Sequence, residues 1–154
     1  MDAQLCSLVD TAIAREEEAY RFYTKLLDRV SEPAARDAIQ WVAGEEVRHK
    51  EFLVRYRAGE FGAAALRLSD VVATRIAEHM AEPEGSAQMS SAEVFLTAAH
   101  RELRSHRFYT ELAGQHAAGE ARDMLLKMAN EELKHKEKME YLYANTAFPQ
   151  TSGG

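Results

Sequence analysis

Gly44-Glu45-Glu46-Val47-Arg48-His49-Lys50-Glu51-Phe52 sets a carboxylate and an imidazole three residues apart, as Glu46-x-x-His49. On a helix, positions i and i+3 share one face. One such pair is common on solvated helix surfaces. This one returns 86 residues later, in NEELKHKEK (130–138), as Glu132-x-x-His135.

The interval holds across the chain, which marks an internal duplication. TAIAREEEAYRFYTKL (11–26) falls on TAAHRELRSHRFYTEL (97–112), so that Thr11, Ala12, Arg15, Glu16, Arg21, Phe22, Tyr23, Thr24 and Leu26 meet their own residue types. Ala35-Arg36-Asp37 meets Ala121-Arg122-Asp123, and Glu45, Glu46, His49, Lys50 and Glu51 meet Glu131, Glu132, His135, Lys136 and Glu137. No gap is needed. The repeat also sorts three consecutive acids: Glu16 lands on Glu102, whereas Glu17 and Glu18 land on Leu103 and Arg104.

Helical spacing of apolar residues runs from about 3 to 30 and again from 33 to 58. Ser31-Glu32-Pro33 separates them, Ser as an N-cap and Pro in a first helical turn, and Gly59 ends the second helix. Residues 59–89 form a crossover, with a short helix predicted from Ser69 or Asp70 through Val71, Val72, Ile76 and Met80. Its apolar Phe61, Val71, Val72 and Ile76 mark it for covering the bundle or for swapping between chains. Ser90 or Ser91 caps a third helix to about His116, and after Gly119 a fourth runs to about Ala144. The expected fold is all-α: a ferritin-like four-helix bundle over 1–146, built from hairpins 3–58 and 90–144 joined by the 59–89 crossover, with 147–154 as a flexible tail.

Hairpin geometry checks the choice of acids. Residues equidistant from the turn of an antiparallel pair lie at one height. The midpoint of 16 and 46 is 31, and that of 102 and 132 is 117, each at a predicted turn. Glu16 should therefore face Glu46, and Glu102 should face Glu132, halfway down the bundle.

Composition bounds the chemistry. The chain has 154 residues, 46% apolar and 29% charged, with 8 glycines and 3 prolines. A net charge of −6 argues against a nucleic-acid or anionic-membrane partner. Cys6 is the single cysteine, which leaves no disulfide and no cysteine-based metal site within these residues and fits a reducing cytoplasm. The start, MDAQLCSLVDTAIAREEE, is too acidic and too briefly apolar for a signal peptide, and no apolar run is long enough to span a membrane.

Glu16, Glu46, His49, Glu102, Glu132 and His135 then form one set. Four carboxylates buried together need counter-charge, and two divalent cations balance them. Carboxylate and imidazole without thiolate suit iron or manganese, with zinc as another possible occupant. One Glu from each of two helices with Glu-x-x-His from the other two is the ligand pattern of dimetal carboxylate bundles. Tyr23 and Tyr109, two turns beyond Glu16 and Glu102, are placed to hydrogen-bond a ligand carboxylate of the other hairpin. Glu45 and Glu131, four residues before each histidine, are candidates to orient an imidazole N–H. Tyr20 and His106, at matching positions, are candidates for an entry path. Trp41 is read as a core or interface anchor, Met124, Met128 and Met139 as core, Cys6 as inert, and His79, His100 and His116 as surface. Arg36-Asp37 and Arg122-Asp123 are read as ordinary ion pairs.

Glu16-x-x-Ala19-x-x-Phe22-Tyr23, Glu46-x-x-His49 and their repeats resemble the rubrerythrin branch of the ferritin-like superfamily, over both hairpins. The resemblance implies that the six residues bind two iron ions. It implies reduction of hydrogen peroxide or, in the alternative, oxidation of Fe(II) by dioxygen, in a homodimer. A third reading is a non-catalytic bundle whose site is structural. Many rubrerythrins carry a rubredoxin domain with four iron-binding cysteines; here electrons are expected from a separate protein. Rubrerythrins also tend to carry a second Glu three residues after the ligand of the third helix. That position is Ser105, which leaves a more symmetric six-ligand set like that of bacterioferritin.

Overall fold

The computed structural model describes residues 1–148. Asp2 starts the first helix, its carboxylate accepting the Leu5 N–H at 2.7 Å. Helix α1 (Ala3–Leu26) tightens into a 3-10 turn at Leu27–Arg29 and gives way to α2 (Pro33–Arg57). Gly59, at φ 80°, closes α2 in the left-handed region that glycine enters without strain. A 3-10 turn at Ala63–Leu66 and a single-turn α3 (Ile76–His79) interrupt the crossover. Ser90 and Glu93 form a full capping box at the start of α4 (Ser91–Gly114), and α5 (Glu120–Ala147) completes the chain. The protein is all-α, a ferritin-like bundle of two helical hairpins.

The two hairpins are related by a pseudo-twofold, visible in matched crossing contacts. The Arg15 guanidinium lies 3.7 Å from the centre of the Phe108 ring, and its repeat mate Arg101 lies 5.6 Å from that of Phe22. The apolar core is split in two. One cluster gathers Tyr23, Ile39, Val42, Phe95 and Met139. The other gathers Leu5, Val9, Leu53, Tyr56, Met124 and Met128 at the opposite end of the helices. Between them lies a layer of buried acids and histidines.

Several expectations are corrected. Ser31 caps nothing; Glu32 occupies the N-cap position without a side-chain cap, and its carboxylate accepts instead from Ser91. Arg36 makes no ion pair with Asp37. Its guanidinium binds the Leu27 and Val30 carbonyls at 2.5 and 2.9 Å, satisfying the end of α1. The crossover helix shrinks to four residues, because Ser69 spends its backbone N–H and hydroxyl on Asn130 rather than capping. Val72 and Leu68 are exposed, but Phe61 and Leu66 pack on one core cluster and Ile76 and Ala77 on the other, so the crossover holds to the bundle by apolar as well as polar contacts. Trp41 is not core: it is 44% exposed. His100 is half-buried, bound to the Met80 carbonyl at 2.8 Å. The last helix runs three residues past Ala144, through the first residue of the expected tail; 149–154 lie outside the described residues.

Candidate metal centre

Each helix of the bundle contributes acid to the middle layer because its inward face meets the midplane there. Glu16 comes from α1, Glu46 and His49 from α2, Glu102 from α4, and Glu132 and His135 from α5. All six are buried, Glu46 completely. Their donor atoms fall into two groups, Glu16–Glu46–His49–Glu132 and Glu46–Glu102–Glu132–His135, each with all atoms within 4.8 Å of one another. Glu46 and Glu132 belong to both. Each group therefore has two shared carboxylates, one unshared carboxylate and one imidazole.

Both histidines turn Nδ1 inward. His49 Nδ1 is 3.6 Å from Glu16 and 3.8 Å from Glu132, and His135 Nδ1 is 2.9 Å from Glu46 and 3.8 Å from Glu102. The two rings stack at 4.8 Å. Tyr23 donates across the hairpins to Glu102 at 2.5 Å, and its repeat mate Tyr109 donates to Glu16 at 3.2 Å. Ser105 is buried and accepts from Arg101 at 2.6 Å, so no seventh carboxylate enters from α4.

Glu45 and Glu131 part company. Glu131 approaches the histidine of the other hairpin, with Oε2 3.6 Å from His49 Nε2, while Lys127 and Lys134 hold its Oε1 at 2.8 and 3.0 Å. Glu45 lies close enough to His49 and His135 for a third donor group, but its Oε1 accepts from Arg48 at 2.5 Å. Sequence patterning gave no sign that Trp41 sits edge-on to His135 at 5.9 Å, and it missed the Arg15–Phe108 and Arg101–Phe22 pairs, although both of those pairs are repeat-matched.

The electrostatics are those of crowded acid. Burial pushes the Glu46 carboxyl well above its ordinary range, and the charges of Glu132 and Glu102 add to it. Burial raises Glu102 and Glu132 as well, reinforced by Glu132 and by Glu16 respectively. For Glu16 the upward push of burial is outweighed by Glu46 and His49, and its carboxyl is lowered. Burial disfavours a charged His49, yet the carboxylates of Glu131, Glu132 and Glu16 raise it well above its usual value. Burial lowers His135. Of nine buried side-chain polar atoms without a hydrogen-bond partner among the described residues, six belong to this cluster: one each on Glu16, Glu102, His49 and His135, and both Glu46 oxygens. Orphaned acceptors converging from four helices are what a cation would satisfy.

A family model described as Rubrerythrin matches residues 1–57, ending on the last residue of α2. No match was found among curated proteins or among solved structures. No helix among the described residues is long and apolar enough to cross a membrane. The matched hairpin supplies Glu16, Glu46 and His49, the repeat supplies their counterparts on α4 and α5, and over residues 1–57 the chain is similar to the rubrerythrin family.

Proposed function

We propose that Glu16, Glu46, His49, Glu102, Glu132 and His135 hold two iron ions, with Glu46 and Glu132 shared between them, and that the centre reduces hydrogen peroxide with electrons from a separate carrier protein. The observation that carries the reading is the pair of four-residue donor groups sharing two carboxylates. Four carboxylates match the charge of two divalent ions, and the oxygen and nitrogen donors suit iron or manganese ahead of zinc. Iron supplies one-electron chemistry that carboxylate, imidazole and phenol side chains lack. Peroxide reduction takes two electrons and two protons per molecule and yields two waters.

The chain's own groups hold the geometry. Tyr23 and Tyr109 fix the orientation of the two unshared carboxylates, and burial raises both phenols, so each remains a proton-bearing donor. The two apolar clusters exclude water above and below the acid layer. Ser105 favours a second reading, oxidation of Fe(II) as substrate with dioxygen, since its side chain leaves six ligands disposed symmetrically.

Anaerobic loading with Fe(II) followed by peroxide or dioxygen separates the two. Faster oxidation by peroxide supports the peroxidase; equal rates with dioxygen sink it in favour of the ferroxidase. Less than one bound metal per chain after growth in iron-rich medium counts against both and leaves a structural bundle.

A further inference from the structure

The duplication makes two clefts on the flanks of the acid layer, and the fold treats them differently. The first, on the α1/α2 face, is about 480 Å³ and has Glu16 and Glu46 in its wall, with Tyr20, Arg21 and Lys50 around them. The second, on the α4/α5 face, is about 360 Å³ and is lined by the repeat mates His106, Arg107 and Lys136. Neither Glu102 nor Glu132 lines it, and in their place stand Ala73, Arg75 and Glu78 of the crossover.

The crossover is fastened over this second face along its length. Ser69 binds Asn130, Thr74 and the Ala77 N–H bind Glu140 at 3.0 and 2.8 Å, Met80 binds His100, and Glu82 binds Arg104. Lys136, 2% exposed, is clasped between Glu78 and Glu140 at 2.7 and 2.8 Å. The anchors are residues at which the repeat breaks: Asn130, Glu140, His100 and Arg104 stand where the first hairpin has Gly44, Val54, Ala14 and Glu18. The first hairpin cannot hold such a strap. Over its cleft, among the described residues, lie the exposed ion pairs of Glu17, with Lys50 at 2.8 Å, side chains 41% and 37% exposed, and with Arg21 at 3.6 Å. Pairs so solvated add little stability, so they open readily.

We infer that the α1/α2 cleft is the mouth through which divalent cations and small polar oxidants reach the acid layer, with Lys50 and Glu17 as its latch, and that the crossover seals the equivalent mouth on the α4/α5 face. This rests on the metal-binding reading above. The test uses Co(II) alone as the probe and follows its absorption as it enters chelator-treated protein. Arg21→Cys and Arg107→Cys, at matching exposed positions, are each made in a Cys6→Ser background and labelled with a bulky maleimide. The label at 21 should slow Co(II) entry by about tenfold or more, and the label at 107 by less than about twofold, with equal final stoichiometry. Lys50→Ala, unlabelled, should speed entry. Equal slowing by the two labels, stronger slowing from 107, or no response to the 21 label together with an unchanged Lys50→Ala rate would overturn the assignment. Absence of Co(II) binding at equilibrium in unlabelled protein would instead overturn the metal reading itself.

Discussion

Glu46→Gln should make the metal-free protein more stable and the metal-supplied protein less stable than the parent. Glu46 has no solvent exposure, and neither carboxylate oxygen has a hydrogen-bond partner. Glu16, Glu102 and Glu132 surround it. Removing a buried charge from such a setting relieves several kcal/mol of desolvation and repulsion. The amide that replaces it is nearly isosteric but is itself left unsatisfied, at about 1–3 kcal/mol. The balance favours the variant by about 2 kcal/mol, or roughly 4–8 °C in Tm for a chain of this size. Metal reverses the order. A ligand at about one hundred times its Kd stabilises the folded state by about 2.7 kcal/mol, which the parent gains and the variant, lacking a carboxylate shared by both donor groups, does not. Thermal melts followed by circular dichroism, after chelator treatment and again with Co(II), read both halves. The reasoning fails if the variant and the parent show the same metal-induced shift, or if the metal-free variant melts below the parent by several degrees.

Raised carboxyls give the pH dependence its sign. Glu46, Glu102 and Glu132 titrate higher in the fold than in the unfolded chain, so their contribution is present below the ordinary glutamate value of about 4.3 and is lost as pH rises through the folded values. Raised His49 adds in the same direction, and lowered Glu16 opposes it. Chelator-treated protein should therefore lose Tm as pH climbs from the glutamate range toward neutrality, while the Tm gain on adding metal grows; a metal-free Tm that rises over that range would contradict the burial argument. Tyr23→Phe removes a 2.5 Å bond to a buried carboxylate and should cost about 1.5–3 kcal/mol, more than Tyr109→Phe, whose bond is 3.2 Å. Urea titration of the metal-free variants checks that order, and the reverse order would show that the tyrosines serve packing alone. Glu140→Gln should loosen the crossover, seen as faster amide exchange over 69–80 with the α1/α2 hairpin unchanged; unaltered exchange there would mean that apolar contacts, not Glu140, hold the strap.

Repetition made much of this legible in one dimension. A fixed interval of 86 residues picks Glu16 out of Glu16-Glu17-Glu18, and equal distances from each turn put four acids at one height, because helix rise is uniform and hairpins are antiparallel. Periodicity found the four long helices to within a few residues. It failed on the crossover, where Ser69, Thr74 and Glu78 answer to partners some 60 residues away rather than to their own neighbours. For Trp41 it left core and interface open, and the structure removes the core reading, since an indole on a helix flank is core only if another element covers it.

Residue type and spacing thus determined the all-α duplication and the set of acids and histidines that meet at its centre, since both follow from local periodicity and simple symmetry. Tertiary structure alone decided which acid of the other hairpin each tyrosine takes, Glu102 for Tyr23 and Glu16 for Tyr109, that Glu131 approaches His49, and which of two equivalent mouths is closed. Each of these depends on how two rigid hairpins and one irregular strap pack. The Glu46-x-x-His49 stretch records which groups meet; the side of the bundle that the crossover chooses sets from where they can be reached.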